Sequence, residues 1–466
     1  MRPKRYHAGD ERPIYRTGPD TRRFPSRGCD GPHQVTSPTT PPGLAGFLDE
    51  LEWRGILHAT TPGLRARLET GRPISAYNGF DPTGDSLHVG HLIPVMGLVR
   101  FQRHGGKPIA LVGGGTGMIG DPSGRSSERN LLDLDTLAHN VAAIRAQLEH
   151  FLDFSPGPAQ AEMANNLDWL GKVSLIEYLR DVGKHFTIPY MLAKDSVQQR
   201  LDRGLSFTEF SYMTLQALDF ATLYREHGVE LQMGGADQWG NITAGLELIR
   251  RTSGDAEESP AHGVAYKLLL SPSGSKFGKS EGGESVWLDP ARTSPYAFYQ
   301  YWRNTDDRDV GTYLRWFTLF DRDEIEALDE AVATRPEQRE AQRRLAFDVT
   351  ARVHGEDAAR EAERQGQAAF THDLAALSAD DLVAMRDQVP HVVVGEDALS
   401  DVLATAIAAG AYPSKGEARR QMANGGFYVN NQRITDPAAP LPEPLHGRFW
   451  VVRTGKRNVR LVERAE

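Results

Sequence analysis

His88 and His91 are separated by one valine and one glycine, and they follow a polar turn whose approach reads Tyr77-Asn-Gly-Phe-Asp-Pro-Thr83. Three positions apart at the start of a helix, the two imidazoles share one face. The free N–H groups and positive dipole end of such a helix favour a phosphate, and Gly90 between the rings would let a flat base lie against the backbone. The pattern suits ATP. A metal would need a third ligand, and none is nearby in sequence; an ordinary structural role for both rings is the plain alternative. A second stretch, Gly113-Gly-Gly-Thr-Gly-Met-Ile-Gly-Asp-Pro-Ser-Gly-Arg125, follows an apolar run. Gly115, Gly117 and Gly120 match G-x-G-x-x-G, yet the acidic residue that a dinucleotide site needs after the next strand is missing, and no Gly-Lys-Ser/Thr loop is present. Both facts count against a nicotinamide enzyme.

Three more groups carry chemistry. Tyr212, Gln216 and Asp219 fall at i, i+4 and i+7, one stripe of a helix whose other positions are filled by Met213, Leu215, Ala217, Leu218 and Phe220. A polar stripe on a mostly buried helix needs partners, which a bound polar molecule or solvent would supply. Gly234-Gly-Ala-Asp-Gln-Trp-Gly-Asn241 places Asp237 at another strand exit, where it could accept from ribose hydroxyls or simply form a polar turn. Ser275-Lys-Phe-Gly-Lys-Ser280 sets two lysines three apart in a Gly- and Ser-rich stretch, either an exposed loop or a cationic one that closes over a polyphosphate.

The elements that must hold these residues are legible in outline. Residues 73–77 and 108–112 and Glu230–Met233 read as short buried strands, and residues 131–151 have helical period. Strand and helix alternating, with glycine at the strand exits, predicts an α/β fold with a Rossmann-like, doubly wound parallel sheet and a site at its carboxyl edge. The division expected is a basic tail over 1–45, a catalytic domain over 46–293, an α-helical domain over 294–385 and a small α+β RNA-binding domain over 386–466. The tail carries eight Lys or Arg and eight prolines with almost no periodic apolar positions, so it reads as disordered. It is either an extension that touches RNA or a start placed upstream of one near Val35. Residues 411–466 sum to +5 beside −14 for the rest, within a total of −9, which suggests a nucleic-acid face. The 466 residues contain a single cysteine, Cys29, which fits a reducing compartment, and no run is apolar enough for a membrane helix, so a cytoplasmic protein is expected.

Taken in order, Asn-Gly-Phe-Asp-Pro-Thr followed by His-Val-Gly-His, Gly-Asp-Pro-Ser-Gly, the Tyr-Gln-Asp helix, Gly-Ala-Asp-Gln-Trp-Gly-Asn and Lys-Phe-Gly-Lys-Ser resemble bacterial tyrosyl-tRNA synthetases from about Phe47 to the C-terminus. The first and last of the class I signatures, His-Ile-Gly-His and Lys-Met-Ser-Lys-Ser, match His88–His91 and Lys276–Ser280. The resemblance implies a tyrosine-tRNA ligase that forms tyrosyl-adenylate from ATP and passes tyrosine to the tRNA. It implies that Tyr77 and Asp219 hold the phenol, that Asp121, Tyr212 and Gln216 surround the ammonium, and that Gln238 lies near the carboxylate. Thr83, His88, His91, Lys276, Lys279 and Ser280 are then catalytic, and Gly79, Asp81, Gly90, Arg125, Arg129 and Asp237 bind ATP. Arg125 stands where family members often carry lysine; Asn78 and Pro94 also bear on the ATP contacts. The family pattern further implies Mg²⁺ carried on the ATP phosphates with no protein-bound metal, a homodimer, and tRNA phosphates on Lys415, Arg419 and Arg420. A tryptophanyl enzyme is the nearest rival, but an indole N–H offers only a donor opposite Asp219 and Tyr77.

Overall fold

The computed structural model describes residues 43–465 apart from 124–131, 195–196, 199–200, 202–203, 255–258, 270–276, 278–284, 371–373, 375–377, 388 and 456–457. The expectations for residues 1–42 and for Arg125, Arg129, Lys276, Lys279 and Ser280 lie outside the described residues. Six strands form the first sheet: β1 (Leu57–Thr60), β2 (Ser75–Phe80), β3 (Lys107–Val112), β4 (Glu162–Asn165), β5 (Val229–Gly235) and β6 (His262–Tyr266), in the order β1-β6-β5-β2-β3-β4. All neighbours are parallel except the edge pair β1 and β6. Ile109 to Val112 of β3 are buried in unbroken succession, as expected of a strand covered on both faces.

From β2 the chain winds outward through β3 and β4, then returns to the other side of β2 with β5 and β6. The carboxyl ends of β2 and β5 therefore flank a topological switch point, where a ligand crevice opens in such sheets. One sheet face is covered by the helix Leu92–Arg103, whose buried Leu92, Val95, Leu98 and Phe101 join one core with the helical region that follows. The opposite face is covered by Phe207–His227 and Trp239–Thr252. The first of these starts at Ser206, whose side chain accepts from Glu209 N, and stops at Gly228 in the left-handed region at φ 65°.

The helical region runs through Pro295–Arg303, Asp307–Phe317, Arg322–Thr334, Glu340–His354 and Glu356–Phe370. Its attachment to the sheet layer is partly polar. Arg54 and Arg100 both lie buried and donate to main-chain carbonyls at the end of Asp307–Phe317: Arg54 to those of Arg315, Thr318 and Phe320, Arg100 to those of Arg315, Trp316 and Thr318. Two cationic forks thus satisfy carbonyls that a helix C-terminus leaves open. Glu50 accompanies them, 2.7 Å from Arg54 and 3.6 Å from Arg100. Burial raises the Glu50 carboxyl, but the His104 hydrogen bond and the two arginine charges outweigh it and leave it at about 2.

A second sheet of five strands closes the chain: β7 (His391–Val394), β8 (Phe427–Val429), β9 (Gln432–Ile434), β10 (Phe449–Thr454) and β11 (Asn458–Arg464), ordered β7-β11-β10-β8-β9. Val402–Ala408 and Lys415–Ala423 pack on it around Phe427, Trp450 and Val452. Its other apolar cluster joins Phe449, Val451 and Leu461 to Leu374, Leu382 and Met385, so residues from 374 onward share a core with this sheet.

Candidate active site

A cavity of about 460 Å³ opens at the switch point. Its inner end is built by residues on facing elements. Tyr77 lies on β2 with its hydroxyl buried and without a hydrogen-bond partner. Asp219, on the helix Phe207–His227, is buried to 1% exposure, and its two carboxylate oxygens accept from Trp169 Nε1 at 2.7 Å and Asn166 Nδ2 at 2.9 Å. Burial pushes the Asp219 carboxyl up to about 7, against the pull of those two donors. The Tyr77 phenol is raised well above its ordinary value, by burial first and then by the Asp219 charge. A donor and an acceptor thus line the same cavity, and each retains hydrogen-bonding capacity.

Asn166 extends this arrangement along the cavity wall. Its amide nitrogen also donates to Thr116 Oγ1 at 2.9 Å, and its oxygen accepts from Gly115 N at 2.7 Å, which fixes the orientation of the amide. Thr116 in turn donates to Asp81 Oδ1 at 3.0 Å, and Tyr212 donates to Asp81 Oδ2 at 3.1 Å. Asp219, Asn166, Thr116, Asp81 and Tyr212 therefore form one hydrogen-bonded line. Gly113 sits beside it because a side chain there would collide: a Cβ would come within 2.5 Å of Asp81 Oδ1 and 2.4 Å of Thr116 Oγ1. A second line runs opposite. Asn241 Nδ2 donates to Gln216 at 3.0 Å and Gln238 at 3.1 Å; Gln238 donates to Asp121 at 2.7 Å, and Asp121 also accepts from Ser123 N at 2.9 Å. Asp81 and Asp121, with the Tyr212 phenol and the Gln216 and Gln238 amide oxygens, give this part of the cavity the character of a cation subsite.

At the outer end the histidine pair forms a short 3₁₀ turn, Val89–His91, ahead of the helix Leu92–Arg103. His88 Nδ1 accepts from Gly90 N and His91 Nδ1 accepts from His88 N, both at 3.1 Å, and the rings lie 4.0 Å apart at 33°. With both Nδ1 atoms accepting, each neutral ring carries its proton on Nε2 and acts there as a donor, which suits an anion better than a metal ion. Gly90 is required locally: a Cβ would meet the His88 ring at 2.8 Å. Thr83, Gly79 and Asp237 line the same cavity, as do Asn78 and Pro94.

A family model described as tRNA synthetases class I (W and Y) matches residues 69–371, and one described as a tyrosine-tRNA ligase SYY-like C-terminal domain matches residues 381–462. The chain belongs to the class I tRNA synthetases of the tryptophan and tyrosine group. It is 51% identical over 427 residues to the tyrosine-tRNA ligase of Roseiflexus castenholzii, covering 90% of this chain and 99% of that one. It is 50% identical over 425 residues to that of Geobacillus stearothermophilus, covering 90% and 100%. Among solved structures it resembles a C-terminally truncated mitochondrial tyrosyl-tRNA synthetase from Aspergillus nidulans, at 31% identity and a TM-score of 0.62 over 70% of this chain and 94% of that chain.

Within this synthetase fold, every described residue that the motifs singled out for tyrosine or ATP lines the one cavity: Tyr77, Gly79, Asp81, Thr83, His88, Gly90, His91, Asp121, Tyr212, Gln216, Asp219, Asp237 and Gln238. Tyr212 meets Asp81 rather than Gln216, although the two share a helix stripe. Asn166, Trp169, Thr116 and Asn241 were not anticipated. Asn241 closes the Gly-Ala-Asp-Gln-Trp-Gly-Asn motif, whereas Asn166 and Trp169 follow the four-residue strand β4 and carry no motif. Lys415, Arg419 and Arg420 are far along the chain, exposed on Lys415–Ala423, a helix capped by Ser414 and buried through Ala418 and Met422.

Proposed function

We propose that this cavity carries out the two steps of a tyrosine-tRNA ligase (EC 6.1.1.1), the activity of the relatives named above. The chain activates L-tyrosine with ATP to tyrosyl-adenylate and pyrophosphate, then transfers tyrosine to the 3′-terminal adenosine of tRNA(Tyr). The observation that carries the assignment of substrate is the buried, unpartnered Tyr77 hydroxyl beside the Asp219 carboxylate. A substrate phenol donates its proton to Asp219 and accepts from Tyr77, and it is the one amino-acid side chain of that length that does both. Its ammonium lies among Asp121, Tyr212 and Gln216, with Gln238 toward the carboxylate.

In the first step a carboxylate oxygen of tyrosine attacks the α-phosphorus, the bond to the bridging oxygen breaks, and pyrophosphate leaves with that electron pair. No side chain forms a covalent bond. His88 and His91 donate through Nε2 to phosphate oxygens, and Thr83, Lys276, Lys279 and Ser280 add donors where charge builds up on the leaving group. Gly79, Asp81, Gly90 and Asp237 take the adenosine, and Arg125 and Arg129 supply further charge. Mg²⁺ carried with the ATP phosphates would supply charge neutralisation there, held mainly by the phosphates rather than by a protein cage. In the second step a ribose hydroxyl of the terminal adenosine attacks the carbonyl carbon and AMP departs. Lys415, Arg419 and Arg420 hold tRNA phosphates. Two copies pair, and Leu175, Ile176, Leu179, Ile188 and Phe207, large apolar side chains that each stand exposed, Phe207 to 78%, are the residues such pairing would cover. The protein works in the cytoplasm; among the described residues no helix is long and apolar enough to cross a membrane.

The test is ATP-pyrophosphate exchange with tyrosine, phenylalanine and tryptophan in separate reactions. Exchange with tyrosine alone is expected, and exchange with tryptophan in its place would overturn the reading.

A further inference from the structure

Trp287 lies outside the motifs and does not line the cavity, yet it stands directly opposite His88. Residues 286–288 run antiparallel to 87–89: Val89 N donates to Val286 O at 3.0 Å, and Leu288 N donates to Leu87 O at 2.8 Å. These two bonds flank His88 and Trp287 without joining them. That is the closer of the two pairings in an antiparallel ladder, so the two side chains leave one face next to each other. Their rings meet at a steep angle, 67°, with centroids 6.1 Å apart. The indole is itself held. The Arg292 guanidinium lies 4.7 Å from its ring centre, Arg292 pairs with Asp85, and Trp287 N donates to Thr293 Oγ1 at 3.0 Å. On the histidine side, Gln147 Oε1 accepts from Leu87 N at 2.8 Å and Gln147 Nε2 donates to Ser86 Oγ at 3.1 Å, while Asp289 N donates to the same Ser86 oxygen at 3.2 Å. Both short segments are thus tied to each other and to the helix Leu134–Phe151.

We infer that Trp287 is a positioning residue for adenylation: its ring, set beside His88 by the cross-strand pairing and covered by Arg292, fixes the direction in which His88 Nε2 points. The inference rests on the reading of His88 as a phosphate donor. The bond from Gly90 N reaches only Nδ1 and leaves the imidazole able to swing about that contact. Rotation about the last side-chain torsion of a histidine is broad, so packing has to select one orientation. The His91 ring, 4.0 Å away, limits the swing from one direction, and the indole limits it from another. Aromatic rings in contact favour definite relative angles, which makes this restraint directional and not merely apolar. The Arg292–Asp85 pair, with side chains 40% and 32% exposed, contributes little to stability as an ion pair; it keeps a cation over the indole face.

The test is rapid-quench measurement of tyrosyl-adenylate formation on the full chain. Trp287→Ala should slow the step by on the order of 10²-fold, the scale for a misplaced catalytic group, with tyrosine Kd from equilibrium dialysis unchanged. Trp287→Phe keeps a ring beside His88 and should stay within about threefold of the parent, whereas Trp287→Leu, apolar but without a ring, should lose at least about tenfold. The leucine variant carries the test if the alanine variant does not fold. On a His88→Ala background, adding Trp287→Ala or Trp287→Leu should cost less than about threefold, since a residue that acts through another has little left to remove. A parent-like rate for Trp287→Leu would overturn the inference. So would a tyrosine affinity that falls in step with the rate, a phenylalanine variant as slow as the leucine one, or full additivity on the His88→Ala background. A normal rate for His88→Ala alone would instead remove the reading of His88 and the inference with it.

Discussion

Replacing Trp169 by phenylalanine removes one of the two side-chain donors to Asp219 while keeping an aromatic ring in place. The indole Nε1 is 2.7 Å from Asp219 Oδ1, and the carboxyl is at about 7 with that bond made. A hydrogen bond to a charged, buried group contributes about 1.5–3 kcal/mol, and one pKa unit is about 1.4 kcal/mol, so its loss should raise the carboxyl by about one to two units. The sign follows from the partner: the donor stabilises the ionised form, so without it the proton is held to higher pH. If the phenol donates to the carboxylate, tyrosine affinity tracks the ionised fraction. At about pH 7.5 that fraction falls from about three-quarters to about one-tenth, and the Kd for tyrosine should rise roughly tenfold. The distinguishing feature is recovery: by about pH 9 most of the loss should be regained, which a collapsed pocket would not do. Equilibrium dialysis of labelled tyrosine across that pH range measures it. A Kd unchanged at neutral pH, or a loss independent of pH, would refute the argument that Trp169 sets the charge on Asp219.

Asp219→Asn should reduce activation of tyrosine far more than that of phenylalanine, narrowing the preference by about 10- to 100-fold in pyrophosphate exchange; an equal loss for both would make Asp219 a structural residue. Removing residues 371–466, a cut chosen so that Leu374, Leu382 and Met385 leave with the sheet they pack on, should preserve pyrophosphate exchange and reduce tRNA charging by on the order of 10²-fold. In the intact chain, neutralising Lys415, Arg419 and Arg420 together should flatten the dependence of tRNA affinity on salt, read from binding titrations at several ionic strengths. Ile176→Asp with Phe207→Asp should yield monomers in sedimentation velocity, since both are large apolar side chains left exposed in the single chain, which pairing would cover.

The motifs were legible because chemistry concentrates at strand exits, and strand exits can be read from an apolar run meeting glycine. Asp81 and Asp237 stand just past such places, Tyr77 lies within β2 and Asp121 ends the glycine-rich stretch after β3, and the stripe Tyr212, Gln216 and Asp219 follows from helical spacing alone. What holds those residues was not legible. Asn166 and Trp169 meet Asp219 from 53 and 50 residues away, and the approach depends on β4 lying beside β3, a neighbour relation that no local pattern encodes. β4 itself, Glu-Met-Ala-Asn, has no apolar run and no alternation, so nothing in its sequence marks a strand. The antiparallel edge strand β1, Leu-His-Ala-Thr, does alternate, but over only four residues, too few to stand out from the helical spacing just before it. The glycines that match a dinucleotide fingerprint need no dinucleotide: a Cβ on Gly115 would meet Leu170 and Asn166, one on Gly117 would meet Leu137 and Pro82, and Gly120 takes a φ of 89°, a distinction visible only once distances are known.

Glu50, Arg54 and Arg100 form a set whose members are not free to vary one at a time. Arg100 has 1% exposure, and burial together with the Arg54 charge lowers it to about 9, so a single carboxylate accompanies two guanidinium groups in the join between the sheet layer and the helical region. Loss of Glu50 would leave both cations without a counter-charge, whereas loss of either arginine would leave main-chain carbonyls open at the end of Asp307–Phe317. Lysine could not stand in for Arg54, because one ammonium cannot reach the carbonyls of Thr318 and Phe320 while also holding Glu50 in the planar geometry of the fork. In lineages descended from this sequence, drift at these three positions should therefore be correlated. A descendant that has exchanged one of them for an apolar residue should have exchanged the others as well, and repacked the end of that helix around the change.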